Sequence, residues 1–460
     1  MPVLFLFAVF GLVSGTGCPK TADRKPLVDS SHVFPAECTA GELRCVVNML
    51  EECELGRFRT SQVCAGACLA STGCQPLPEN VTSYIWIANT GEGTLSKVNT
   101  QTVMEEARYN TCADESRCCD PSRTSVSLHG DAVVTNRASD YFAGCSPPAS
   151  SVVMFAASRG DCVDRNGNGV IDTSTGPTDV RPFGEDECMV WSTDLPYLAD
   201  FGDDSHGARA TAWDGSEDEE TGLGGRVWIG TCNSYRTPSV HIFRLDGDCG
   251  TVLDEVQIPD VYCAYGGAVD ATGSLWFLDN YAMKLVKVDS ETLAWESRPT
   301  SCAYGITLDS LGRVWTGGWS SPEEKGACTA RYDPSTGEEH IVEIPRASPA
   351  EPEPFLRGIA AGVGLSAGYI WAAETDGVLY QVDKESLEII GSLRLGPSRL
   401  EMIGVAVDHI GYVWTVSFLF GMAFKVDPFT FEHLSLAIGK QPYTYSDMTG
   451  TQLRAVVVVR

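Results

Sequence analysis

From residue 83 onward one short pattern returns along the chain, and it constrains the fold more than any other feature. It opens with an aromatic residue and glycine, reaches an aspartate, turns at a glycine and enters a strand that carries tryptophan. Two copies are clean: Tyr265-Gly266 with Asp270, Gly273 and Trp276, then Tyr304-Gly305 with Asp309, Gly312 and Trp315. Both continue through a second apolar strand to a turn, at Asp289 and Asp333. Weaker copies run through Arg209, Asp214 and Trp228; through Arg357-Gly358, Trp371 and Asp383; and through Gly404, Asp408, Gly411, Trp414 and Asp427. Trp86 and Val133 mark two more. The seven slots stand mostly 39 to 56 residues apart, with one gap of 95. That spacing suits the four-stranded blades of a β-propeller, one copy to each sheet.

Local composition agrees. Tyr84-Ile85-Trp86-Ile87 and Arg226-Val227-Trp228-Ile229 are β-branched and aromatic runs bounded by polar or glycine residues, whereas helical periodicity is missing after residue 83. The expectation is an all-β, seven-bladed propeller over 83–460. The long gap holds apolar strands at Ser151–Phe155 and Met189–Ser192 but no aromatic-glycine opening, so it reads as one blade with a polar insertion at 161–188. The first blade lacks its opening, and the end of the chain supplies an orphan one at Tyr443, Asp447 and Gly450, followed by Leu453–Val459. Residues 443–460 are therefore expected to complete the first blade and remove an exposed sheet edge.

The formal charge of -28, from 61 acidic and 33 basic residues, argues against nucleic acid and anionic lipid as partners. An acid excess that only keeps an exported surface soluble is the weightier reading. Eighteen cysteines suit an oxidising compartment. Val3–Val13 is an apolar run of signal-peptide length, too short to span a bilayer, and no later segment is apolar enough to do so. Residues 1–17 are thus expected to be a signal peptide. Gly15-Thr16-Gly17-Cys18 is similar to a lipobox, which would make Cys18 a lipidated N-terminus on a tether at 18–35, with ordinary cleavage as the alternative. Membrane contact would then run through the lipid anchor alone.

Six cysteines, Cys38, Cys45, Cys53, Cys64, Cys68 and Cys74, crowd residues 36–78. That module reads as disulfide-stabilised, because no C-x-x-C pair is present to favour zinc, though the six permit fifteen pairings. Eleven more lie between Cys112 and Cys328, an odd number that leaves one free; the adjacent Cys118-Cys119 is a candidate. Cys162 with Cys188, Cys249 with Cys263 and Cys302 with Cys328 are plausible staples by proximity.

The repeat at 304–315, Tyr-Gly-x-x-x-Asp-x-x-Gly-x-Val-Trp, resembles the NHL-type and streptogramin (virginiamycin B) lyase-like propellers over about residues 83 to 460. The layout of lipobox, six-cysteine module and propeller with a Cys-x-Asp-x-Asn-Gly-Asn-Gly insertion also resembles uncharacterised surface lipoproteins of myxobacteria. The lyase resemblance implies a histidine base and a magnesium ion at the central mouth. The openings carry instead Ser122-Arg123, Arg209, Tyr265, Tyr304, Arg357, Ile403 and Tyr443, with only His206 near one, while His129 and His409 sit at turns. A surface module for binding, adhesion or scaffolding is the expectation, and a metal-assisted C–O lyase the alternative.

Two constellations are candidate sites. Arg123, Arg209 and Arg357 with Tyr265, Tyr304 and Tyr443 would project to one end of the channel, where they suit an anionic or sugar-like ligand, whether free or on a glycan or protein; plain packing of the mouth is the alternative. Asp164, Asn166, Asn168, Val170 (through its carbonyl) and Asp172 have the spacing of an EF-hand-like calcium loop, although Thr175 replaces the bidentate acid at position 12. Asp179, Asp186 or Glu187 would have to fold back, and an Asn-Gly-rich turn needing no ion is the alternative. The run Glu217–Glu220 reads as a solvated loop.

Overall fold

A computed structural model describes residues 38–46, 49–54, 57–63, 68–69, 73–74, 84–113, 119–137, 150–195, 207–232, 238–319, 326–345, 355–397 and 399–458. The expected signal peptide, Cys18 with its tether, and His206 lie outside them. Within the cysteine-rich segment, Leu43–Val46, Met49–Glu54 and Arg57–Val63 form an antiparallel sheet, and Cys68–Leu69 pairs with Gly73–Cys74. Cys38 is bonded to Cys53; the side chains of Cys45, Cys64, Cys68 and Cys74 lie outside the described set.

Beyond residue 83 the chain is a β-propeller, with seven sheets in succession among the described residues. The first holds Tyr84–Asn89, Thr94–Asn99 and Met104–Asn110. The other six are four-stranded antiparallel meanders, opening with the inner strands Pro121–Val126, Gly207–Trp213, Gly267–Val269, Gly305–Leu308, Leu356–Ala361 and Met402–Val407. Each of the seven slot residues lies in a sheet of its own. Ser151–Phe155 and Met189–Asp194 are neighbouring strands of the second sheet, and the insertion lies between them.

The repeat has a physical reason. The Asp309 carboxylate accepts the backbone N–H groups of Leu311 and Arg313, which shapes the turn, and its other oxygen accepts Trp315 Nε1 at 2.9 Å. Asp270 holds Trp276, and Asp408 holds Trp414, in the same way. The tryptophans then face a long polar side chain on the next strand: Lys97 opposite Trp86, Arg244 opposite Trp228, Arg331 opposite Trp315 and Gln381 opposite Trp371. Each reaches past its ring to a backbone carbonyl of the following sheet, at Ala157, Ser290, Lys384 and Pro428 respectively. Neighbouring sheets are thus tied by hydrogen bonds as well as by apolar packing.

The glycine after each opening lets inner strands abut. A Cβ on Gly358 would stand 2.7 Å from the Ile403 carbonyl, and one on Gly404 would stand 2.1 Å from that of Thr444. The second of these contacts belongs to the closure. Pro442 bridges Asn89, the Tyr443 N–H donates to Ala88, Trp86 N–H donates to Met448, and on the other side Tyr445 bridges Arg123. Residues 442–448 therefore supply the inner edge of the first sheet.

Past the closing strand the chain departs from the all-strand expectation. Thr451–Val457 is a short helix, α1, because Asp447 turns back to accept the N–H groups of Thr449, Gly450 and Leu453. Its buried Leu453 and Val456 join the apolar clusters beneath the inner strands. Glu217–Glu220 is also not simply solvated. Glu217 is buried and accepts the Leu128 N–H at 2.7 Å, and Glu219 pairs with Arg454 of α1.

Cys162–Cys188 and Cys302–Cys328 are bonded as expected. Cys249 does not pair with Cys263, which instead bonds to Cys232 and leaves Cys249 free and exposed. An entire strand, Val252–Pro259, separates 249 from 263 and carries the chain to the other end of the sheet. Cys119, half of the adjacent pair, bonds to Cys112. No helix among the described residues is long and apolar enough to cross a membrane.

Candidate functional site

The residues before the opening glycines do converge. The hydroxyl of Tyr265 donates to that of Tyr304 and lies 2.7 Å from that of Tyr443, while Tyr304 and Tyr443 hydroxyls are 3.1 Å apart. Tyr445, which sequence reasoning missed, joins from the same strand as Tyr443; two residues on, it shares that strand's inward face. Four phenols from three elements thus form one hydrogen-bonded layer across the channel.

Guanidinium groups surround the layer. Arg123 is fully buried, lies 4.5 Å from the Tyr265 ring centroid and 4.2 Å from that of Tyr445, and donates to the Tyr265 carbonyl and to Ser122. Arg137, also unanticipated, sits 4.6 Å over the Tyr443 ring and is paired with Asp120. Arg209 is buried, with neither Nε nor Nη1 meeting a hydrogen-bond partner, and Arg357 Nε is likewise unpartnered. Among the described residues, Arg123, Arg209 and Arg357 form no ion pair with a carboxylate.

Charge and burial pull the phenols apart. Burial raises Tyr443, but the positive charges of Arg123, Arg209, Arg137 and Arg357 outweigh it and hold its hydroxyl below its ordinary value. Burial drives Tyr304 and Tyr445 well above theirs, and it raises Tyr265 against the pull of Arg123 and Arg209. The arginines thus favour ionisation at Tyr443 over the other three phenols.

Above the layer is a cavity of about 300 Å³ lined by Thr90, Arg137, Arg209, Tyr304, Arg357, Glu401, Phe418 and Tyr443. A second, smaller space of about 10 Å³ lies next to Arg123 and Tyr445, and α1 packs against the fourth and fifth inner strands. The larger of the two spaces is the candidate mouth, against Arg209, Tyr304, Arg357 and Tyr443. Of the six residues expected there, Arg209, Tyr304, Arg357 and Tyr443 line it, while Arg123 and Tyr265 lie in the layer behind. His129 instead contacts Asp161 and the Glu219 carbonyl, and His409 is half-buried at its turn.

In the insertion, Asp164 accepts the N–H groups of Gly167, Asn168 and Gly169, and the amides of Asn166 and Asn168 both donate to Asp172. Val170 stands in the same turn, its N–H donating to Asn168. Glu187, next to the Cys162–Cys188 bridge, does fold back, accepting the N–H groups of Arg165, Asn166 and Asp172. Asp186 is spent on Thr173 and Ser174, and Asp179 on Thr175. No group of three or more His, Cys, Asp or Glu side chains poised for a metal occurs among the described residues.

No known protein family matches the sequence, and no curated protein is similar to it. Solved structures are. Virginiamycin B lyase from Staphylococcus aureus aligns at 16% identity and a TM-score of 0.39, over 52% of this chain and 74% of its own. Hydrazine synthase from Kuenenia stuttgartiensis aligns at 12% identity and 0.47, over 71% and 89%. Apo AztD from Citrobacter koseri aligns at 12% identity and 0.46, over 78% and 96%. Likeness at this level says nothing of activity, and the propeller assignment rests on the chain's own sheets.

Proposed function

We propose that this chain is an exported binding propeller, held at the cell surface through a lipid on Cys18 or secreted, whose central cavity takes a small anionic group, free or displayed on a glycan or protein. The observation that supports it is Arg209: a buried guanidinium with unpartnered nitrogens and no ion pair to a carboxylate among the described residues, on the wall of a cavity it shares with Arg357. Burying a charge without a partner costs on the order of several kcal/mol, which an anionic ligand offsets. A lyase of the streptogramin type needs a histidine base with metal-holding acids at this mouth, and the lining offers arginine and tyrosine with Glu401. Titration calorimetry with acetate, phosphate and glucuronate, against glucose as the neutral control, tests the reading. Anions alone should bind, and Arg209→Ala with Arg357→Ala should abolish binding while the fold persists. No binding of any anion, or undiminished binding by the double variant, rejects it.

The same reading includes a structural calcium ion held by Asp164, Asn166, Asn168, Asp172 and the Val170 carbonyl. The support is the wrapped course of the loop around Asp164 and the disulfide that closes its base. Calcium would stiffen the insertion and supply no chemistry to the channel.

A further inference from the structure

We infer that the ligand of the central cavity is two-ended: a small dicarboxylate with one carboxylate on Arg209 and the other on Arg357. This rests on the anion-binding reading above and adds the shape and charge of the ligand.

The two arginines are not neighbours. Arg209 stands on the inner strand of the third sheet and Arg357 on that of the sixth, so they face one cavity from well-separated walls. The other cations of the site are already engaged. Arg137 is paired with Asp120, and Arg123, clamped between tyrosine rings by its bonds to the Tyr265 carbonyl and Ser122, keeps only Nη2 unpartnered and lies outside the cavity lining. Two guanidinium groups with spare donors therefore line the cavity itself, one on each side. A single carboxylate or phosphate would satisfy one and leave the other bare.

With Tyr443 protonated in the complex, the charge count points the same way. Glu401 is the one carboxylate in the lining, and it disfavours a third negative group on the ligand. Guanidinium forks bind carboxylates through paired hydrogen bonds, and the hydroxyls of Tyr304 and Tyr443 are at hand for an oxygen that an arginine does not reach. Phe418 gives the cavity an apolar wall for a short carbon chain. At about 300 Å³ the space is at the small end of ligand sites. That size favours a compact diacid over an oligosaccharide.

The test compares succinate with propionate, which keeps the carbon chain and one carboxylate but lacks the second. Calorimetry on the full chain should show succinate binding at least about tenfold more tightly, as a second charged hydrogen-bond pair requires. Arg209→Gln and Arg357→Gln should each bring the ratio to within about twofold of one. Arg209→Lys and Arg357→Lys keep the buried charge, and they should reduce the ratio too because the fork is lost. They keep the test open if a glutamine variant does not fold. Succinate and propionate binding alike in the wild type overturns the two-ended ligand and leaves the anion site standing. Phosphate matching succinate overturns it as well, because both arginines would then share one group. No small anion binding at all sinks both readings.

Discussion

Lys425 donates its Nζ to the carbonyl oxygen of Thr100 at 2.7 Å, although 325 residues separate them. Lys425 lies opposite Trp414 in the seventh sheet, and Thr100 is in the turn after the second strand of the first. The contact repeats between the last and first sheets the arm that Lys97, Arg244, Arg331 and Gln381 make between consecutive ones. The ring is thus held shut by the same device that builds it. Lys425→Met keeps the aliphatic stem over Trp414 and removes the donor. It should cost about 1–3 kcal/mol, read as a melting temperature lower by a few degrees with unchanged circular dichroism. An unaltered melting temperature would show that this arm does not contribute to closure.

Closure by residues 442–448 makes a stronger demand. Removing residues 442–460 takes away the inner edge of the first sheet, the cover on its backbone donors and α1 together. The truncated chain should aggregate or melt many degrees lower. Equal stability of the two chains would contradict the pairing of Tyr443 with Ala88 and of Met448 with Trp86.

The propeller was legible because one covalent spacing recurs: in three of the seven sheets an aspartate six residues before a tryptophan puts a carboxylate oxygen on the indole nitrogen at the end of the hairpin turn. Arg209, Tyr304, Arg357 and Tyr443 were legible for the same reason, since their place in the repeat fixes where they face. Arg137 and Phe418 lie past strand ends, where no repeat position marks them, and only tertiary contact brings them to the cavity. α1 is seven residues long, too short for a periodic signal, and it is nucleated by the Asp447 carboxylate. Glu217 looked solvated within an acidic run; what buries it is the Leu128 N–H, 89 residues away in sequence.

Cysteine chemistry separates two nearby residues. Cys232–Cys263 closes a span of 31 residues between the third and fourth sheets, whereas Cys249 is exposed and free. Cys232→Ser should destabilise by about 3–4 kcal/mol, and Cys249→Ser should stay within about 0.5 kcal/mol of wild type. A thiol-specific alkylating reagent should label Cys249 in the folded chain and leave Cys263 unlabelled. Labelling of Cys263 without denaturant would overturn the assignment.

Calcium, if held by the 164–172 loop, stabilises the folded chain by mass action. Added calcium should raise the melting temperature of the wild type, and Asp164→Ala should remove that response, because Asp164 both shapes the loop and offers two oxygens to the ion. Glu187→Gln should weaken the response by loosening the loop from its base. Identical responses of wild type and Asp164→Ala would place any ion elsewhere.

Tyr443 should make anion binding depend on pH. Its hydroxyl is pushed down to about 6: burial opposes this, and the charges of Arg123, Arg209, Arg137 and Arg357 prevail. Tyr265, Tyr304 and Tyr445 face it as neutral phenols, with Glu401 in the cavity lining and Asp120 tied to Arg137. For an acid with a depressed value the sign is fixed. Its contribution to stability is complete above the ordinary phenol range and is lost as pH falls through about 6. A bound anion competes with the phenolate for the same arginines, so it favours the protonated hydroxyl and draws in a proton. Succinate affinity should therefore fall as pH rises above about 6, and calorimetry in buffers of different ionisation enthalpy should report proton uptake on binding. An ultraviolet titration of the unliganded chain should show one tyrosine ionising well before the others. Tyr443→Phe should remove that early step and flatten the pH dependence while leaving succinate bound. A wild type whose affinity is unchanged between about pH 5 and about pH 8 would mean that Tyr443 stays protonated and does not compete with the ligand.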